Sequence, residues 1–227
     1  YGIDINSISA VLVSHDHFDH IRSLGTFTER FHKPVYTTVE IIKALETHYC
    51  TKGYMSGCCN ALVPGRANEI LLCGSNCRQI VTVTPFRVPH DAADTVGFHI
   101  GYSGKGITFI TDIGEVTDEA VRYASMSDCL IIEANYDVDM LMRGPYPPEL
   151  KARIMQGHGH LSNEQTASLL RRATRSDRCP LKQIFLCHLS ENNNTPSVAL
   201  GTIKKAIPEG IALYCLPRRE PSEAFEV

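Results

Sequence analysis

The chain has 227 residues, a net charge of −3, and 43% hydrophobic and 21% charged residues. That size and balance fit one globular domain spanning residues 1–227, with one sizeable core or two closely packed halves, and no global basic footprint for nucleic acid. No apolar run is long enough to span a membrane. The nine cysteines are an odd count, and Cys129, Cys187 and Cys215 sit in apolar runs as small core residues, which suits a reducing cytoplasm better than a disulfide scaffold. Cys58, Cys59, Cys73 and Cys77 cluster loosely, without the Cys-x2-Cys spacing of a structural zinc site.

Residues 1–9 form a short lead-in. Ala10-Val11-Leu12-Val13 then reads as a buried strand running straight into Ser14-His15-Asp16-His17-Phe18-Asp19-His20. In an extended segment His15 and His17 point the same way, and Asp19 and His20 follow where a chain turning into a helix aims them at a second point. Two imidazoles on one ion, with a carboxylate and an imidazole on another, make half of a dinuclear site. Such donors suit zinc, manganese or iron better than magnesium or calcium.

A helix is expected to leave this loop over residues 21–31, followed by a strand at 34–38. Thr38 then caps a helix over 39–49, where Ile41, Ile42 and Leu45 mark one face. Residues 51–77, rich in Gly, Cys and Asn, read as a surface excursion covering the site. Residues 80–88 form a strand running to Pro89-His90. Residues 96–102 and 107–111 form a hairpin whose second strand ends at Asp112.

Thr117 caps a short helix, and Cys129-Leu130-Ile131-Ile132 is a strand ending at Glu133. Residues 138–156, with three prolines, read as a bent linker or a helix-turn-helix arm. Ser162 and Gln165 make a capping box before a helix. Ile184-Phe185-Leu186-Cys187 is a strand ending at His188. Thr195-Pro196 opens a last helix, residues 211–216 are a closing strand, and a loose tail follows Pro217. Apolar strands thus end repeatedly at ligand-type residues: His15, His90, Asp112, Glu133 and His188. A rigid sheet can group such residues along one edge.

His-x-His-x-Asp-His after a buried strand resembles the signature of the metallo-β-lactamase fold superfamily. The resemblance implies an α/β fold, the αββα four-layer sandwich, with a metal site along one edge. Only fourteen residues precede His15, so the family's N-terminal strands are expected to fall outside this sequence. Carried over residue by residue, His15, His17 and His90 bind one divalent metal ion, Asp19, His20 and His188 bind a second, and Asp112 bridges them. His32, His48 and His99 match nothing and are read as structural. Asp16 either orients a histidine, acts as a nearby acid, or stays solvated.

Two cations sharing a water lower its pKa and make a bridging hydroxide the nucleophile. Asp19 counts with Glu133 and His160 among the catalytic residues. Glu133-Ala134-Asn135-Tyr136-Asp137, Gly159-His160-Leu161-Ser162-Asn163 and Leu189-Ser190-Glu191-Asn192-Asn193 resemble the phosphodiesterase branch of the superfamily, and within it the YycJ/WalJ type. That resemblance implies a metal-dependent nuclease, a 5′-to-3′ DNA exonuclease, with nucleic acid as substrate, DNA ahead of RNA. Glu133 would orient His160, which binds the scissile phosphate or protonates the leaving oxygen, helped by the helix N-terminus behind it. Between Asp112 and His188 there is no room for the β-CASP insert of larger nucleases, so the substrate must be gripped by a smaller device. The competing readings are a thioesterase or lactam hydrolase, which does not call for the Glu133–His160 pair, and a metal-binding regulatory protein without turnover.

Overall fold

The computed structural model describes residues 4–73 and 78–226. Cys77 and the first three residues lie outside them, as does the side chain of Cys73, so the loose cysteine cluster falls partly beyond the described residues. The chain forms two compact units: residues 1–87 with 92–102, and residues 88–91 with 103–227. No helix among the described residues is long and apolar enough to cross a membrane.

The first unit begins with a short 3-10 turn at Ile5–Ser7, then β1 (Val11–Leu12), α1 (Phe18–Ile21), α2 (Leu24–Phe31), β2 (Val35–Thr37), α3 (Val39–Thr47) and β3 (Cys59–Ala61). β4 (Asn68–Cys73), β5 (Arg78–Arg87) and β6 (Val96–Tyr102) complete it. β1, β2 and β3 pair in parallel, whereas β4, β5 and β6 pair antiparallel. Val13, Ile21, Val35, Ile41, Leu45, Val83 and Phe98 are buried in a common core. Ile41 and Leu45 lie four apart on α3, one helical turn, and Thr38 caps that helix by accepting from the Ile41 amide.

The helix expected over residues 21–31 forms as α2, after a separate short turn, α1, inside the His-rich loop. One further expectation is refined. Residues 51–73 lie largely at the surface, as expected, but they are built into the sheets. β3 pairs with β2, β4 pairs with β5, and Met55, Leu62 and Ile70 are buried in the unit's core. These apolar residues are too widely spaced to show a period, and the strand partners are far away in sequence.

The second unit holds β7 (Lys105–Ile110), α4 (Asp118–Ser125), β8 (Cys129–Glu133), α5 (Val138–Arg143), α6 (Pro148–Met155), α7 (Asn163–Ala173), β9 (Gln183–Cys187), α8 (Pro196–Lys204) and β10 (Ala212–Cys215). β7 to β10 run parallel in chain order. Parallel neighbours need crossovers, and the intervening helices supply them. These strands are continuous apolar runs because they are buried: Ile110, Leu130, Ile132, Ile184 and Leu186 are fully enclosed.

α7 starts with the expected capping box, in which Ser162 and Gln165 satisfy each other's amides. The arm over residues 138–156 resolves into α5 and α6. The tail is held rather than loose. Phe225 packs 4.7 Å from the rings of both Phe185 and Tyr214, and Gln183 Nε2 donates to the Glu226 carbonyl at 2.9 Å.

Register decides where the ligand-type residues go. Ile110 faces Ile132, Ile132 faces Leu186, and Glu133 faces Cys187. Asp112, Glu133 and His188 therefore all emerge at the carboxyl ends of three adjacent parallel strands, the usual place for a site in such a sheet.

Candidate metal centre

In the first unit the His-rich loop is pinned as it leaves β1. The Val13 amide donates to the Tyr36 carbonyl at 3.2 Å, Thr37 Oγ1 donates to the Val13 carbonyl at 2.6 Å, and the Val96 amide donates to the Ser14 carbonyl at 3.0 Å. Beyond that point the His15 and His17 rings are 4.8 Å apart, and those of His15 and His20 are 4.2 Å apart. His17 is the N-cap of α1, and the turn of that helix presents Asp19 Oδ2 3.6 Å from His20 Nε2. The loop thus brings His15 close to both His17 and His20, and Asp19 close to His20. Asp16 is engaged elsewhere. Its Oδ1 accepts from the Ala93 amide at 3.1 Å, tying the loop to the stretch before β6.

In the second unit the sequence-named residues also converge. Asp112 Oδ1 is faced by His188 Nε2 at 3.5 Å, His90 Nε2 at 3.7 Å and His160 Nδ1 at 3.8 Å. Asp112 Oδ2 accepts from Thr111 Oγ1 at 2.7 Å. Both Asp112 and His188 take left-handed backbone angles, φ 55° and 54°. Non-glycine residues there are uncommon, and they cluster where the surrounding structure needs a side chain re-aimed.

Glu133 is the hub beneath them and is completely buried. Its Oε1 accepts from the amides of Ile113 at 3.1 Å and Leu161 at 2.9 Å, and its Oε2 accepts from the Asp112 amide at 3.2 Å. His160 Nδ1 donates to the same Oε2 at 3.1 Å, and His188 Nδ1 lies 3.4 Å from it. One carboxylate therefore fixes the Asp112 turn, the His160 loop and two imidazoles at once. Burial works against its charge, but the His160 and His188 hydrogen bonds outweigh that and hold its pKa below the usual value. Burial likewise disfavours charge on His160, yet the hydrogen bond and charge of Glu133, with Asp112 beyond, raise its pKa. His90 goes the other way: burial lowers its pKa against the weaker pull of Asp112.

The donors fit divalent metal chemistry. Ligand atoms of Asp112, Glu133, His160 and His188 all lie within 4.8 Å of one another, and they are carboxylate oxygens and imidazole nitrogens only. The imidazole nitrogens face Asp112 Oδ1 from beyond hydrogen-bond length, a spacing that suits a shared cation. Glu133 has its oxygens engaged by amides and by His160, so it serves as a support for the residues around it. Burial pushes the pKa of the neighbouring Cys187 thiol well above the ordinary range, although the residue is only half-buried.

Sequence reasoning missed three supports. Asn135 Nδ2 donates to the His188 carbonyl at 2.8 Å, holding the left-handed turn. His90 Nδ1 donates to the Gly159 carbonyl at 2.8 Å, which leaves Nε2 for the centre. A Cβ at Gly159 would lie 2.2 Å from the Ile154 carbonyl oxygen, so only glycine lets this loop pass α6 so closely. Asp91, next to His90, is gripped by Arg153 at 2.6 Å from both Nε and a terminal nitrogen. The glycine pattern around His160 was the one available signal.

One expectation is corrected. The backbone before α7 is not open to a phosphate. The amide of His160 donates to Ile154, that of Leu161 to Glu133, that of Ser162 to Gln165, and that of Asn163 to Tyr136.

Residues 2–181 match the family model described as the beta-lactamase superfamily domain. The chain is 29% identical over 208 residues to exodeoxyribonuclease YycJ of Bacillus anthracis, covering 91% of this chain and 74% of that protein. It is 30% identical over 192 residues to exodeoxyribonuclease WalJ of Streptococcus pneumoniae, covering 85% of this chain and 67% of that one. The structure of zinc-bound PqqB from Methylobacterium extorquens superposes with a TM-score of 0.64 at 19% identity, covering 91% of this chain and 70% of that one. That likeness shows the α/β metallo-β-lactamase fold.

Proposed function

The chain belongs to the metallo-β-lactamase superfamily, and from that premise we propose that it is a metal-dependent phosphodiesterase cleaving DNA, of the 5′-to-3′ exonuclease kind. The proposed ligands of two divalent ions, zinc or manganese, are His15, His17, Asp19, His20, His90, Asp112 and His188. When bound, such a pair supplies an activated water and neutralises charge developing on phosphate oxygens. DNA is the proposed substrate because the relatives named above are exodeoxyribonucleases.

The observation that carries the phosphodiesterase reading is the Glu133–His160 pair against Asp112. Glu133 accepts from His160 Nδ1 and so fixes the ring and its tautomer. Nε2 is then the atom that meets a phosphate oxygen or gives its proton to the leaving oxygen. With the neighbouring amides engaged inside the protein, the phosphate contact of this loop comes from the His160 ring. A thioesterase or lactam hydrolase has no need of this pair.

The test is His160→Ala. The variant is expected to keep its metal content and to lose at least about a hundredfold in DNA cleavage. Most of that loss is expected to vanish with a p-nitrophenyl phosphodiester, whose leaving group needs no proton. Near-normal cleavage of DNA by the variant would remove His160 from the mechanism. Wild-type protein that hydrolyses no phosphodiester in manganese would leave the regulatory reading instead.

A further inference from the structure

With no room for a large gripping insert, the molecule needs a compact device for its substrate, and the first unit carries a row of aromatic rings beside the His-rich loop. Phe18, between His17 and Asp19, is 49% exposed, and Tyr49 is 73% exposed. Their ring centroids are 5.7 Å apart with planes 21° from parallel, and the His48 ring follows 4.6 Å beyond Tyr49.

The turn bearing Tyr49 is firmly built. Thr51 is buried, and its Oγ1 donates to the Leu45 carbonyl at 2.6 Å while its amide donates to His48 at 3.1 Å. Cys50 Sγ donates to the Ile21 carbonyl at 3.7 Å, joining this turn to the end of α1. At Gly25 a Cβ would lie 2.7 Å from both the Cys50 carbonyl oxygen and the Tyr54 ring, so the absent side chain is what lets α2 close on the turn.

A large ring kept in solvent on an ordered turn contributes little to folding by burial. Its π-face is, however, what an unpaired base stacks on, whereas a base inside a duplex offers mainly its edges. Two exposed cations lie one backbone turn from these rings. The Arg22 amide donates to the Phe18 carbonyl and the Lys52 amide to the His48 carbonyl, each at 2.8 Å. Such cations suit the phosphates between stacked bases.

We propose that Phe18, Tyr49 and His48 form a stacking platform for the unpaired bases at the end of a DNA strand, beside the His-rich loop. This rests on the phosphodiesterase reading and narrows its substrate to strands with single-stranded ends.

The test is fluorescence anisotropy of the as-purified protein with a labelled phosphorothioate oligothymidylate of about ten nucleotides. Tyr49→Ala is expected to weaken binding roughly 5- to 150-fold, the equivalent of ~1–3 kcal/mol for one stacked base. Tyr49→Phe keeps the ring and is expected to bind as wild type does. An abasic oligomer of equal length should bind weakly to wild type and show no further loss with Tyr49→Ala. Wild-type affinity in Tyr49→Ala, or an equal loss on both oligomers, overturns the platform. Wild-type protein that cleaves neither DNA nor bis-p-nitrophenyl phosphate in manganese overturns the phosphodiesterase reading instead.

Discussion

Asp112 and His188 are held in the left-handed region by the chain around them, Asp112 through Glu133 and His188 through Asn135. The short polar side chain of Asp or Asn tolerates that conformation, whereas an ordinary Cβ-bearing residue is strained by roughly 1–2 kcal/mol. Asp112→Ala and Asp112→Asn both remove the carboxylate, so they separate its charge from its backbone. In chelator, the Ala variant is expected to be less stable than the Asn variant by about 1 kcal/mol, read by urea denaturation. Equal midpoints would mean that this turn stores no strain. That ligand-type residues stand at these two strand ends was legible because each follows an apolar strand. Their backbone angles were not, because they arise from hydrogen bonds to Glu133 and Asn135, which come from other strands and loops.

Among the elements, the starts of the parallel strands are fastened by one residue. Asp128 accepts the Gly106 amide on its side chain at 3.0 Å, donates its own amide to the Gly106 carbonyl at 2.8 Å, and accepts the Lys182 amide on its carbonyl at 2.8 Å. The Gly106 hydrogen bond holds its carboxyl pKa below the usual value despite partial burial, aided by Lys105 and Lys182. A depressed folded pKa contributes stability that is fully present above the unfolded value near 4 and is lost as pH falls through the folded value. Wild type is therefore expected to lose stability relative to Asp128→Asn as pH falls below about 4, while above pH 5 it should be the more stable by roughly 1 kcal/mol. Parallel stability curves for the two proteins across that range would contradict this. Elements with a clear period or cap, such as α3, α7 and β8, were readable from the sequence. β3 was not, since Cys59-Asn60-Ala61 has no alternation and becomes a strand only by pairing with β2.

At the scale of the molecule, each unit has its own buried apolar residues. We propose that the metals are functional and that the apo protein still folds. After exhaustive chelation, thermal unfolding is expected to remain cooperative, and loss of a cooperative transition would show that the metals are structural, as in small zinc domains. The hydrogen bond from His90 to the Gly159 carbonyl joins positions 69 apart in the sequence. A ribosome adding about 5–20 residues each second needs roughly 3–14 s to cross that gap. Throughout that interval the nascent chain displays His90 without the Gly159 carbonyl that holds its ring, and His188 comes later still. The order of synthesis therefore has His90 emerge first and wait for the carbonyl that aims it; on the proposed metal assignment, its ion would be loaded late in the protein's biogenesis.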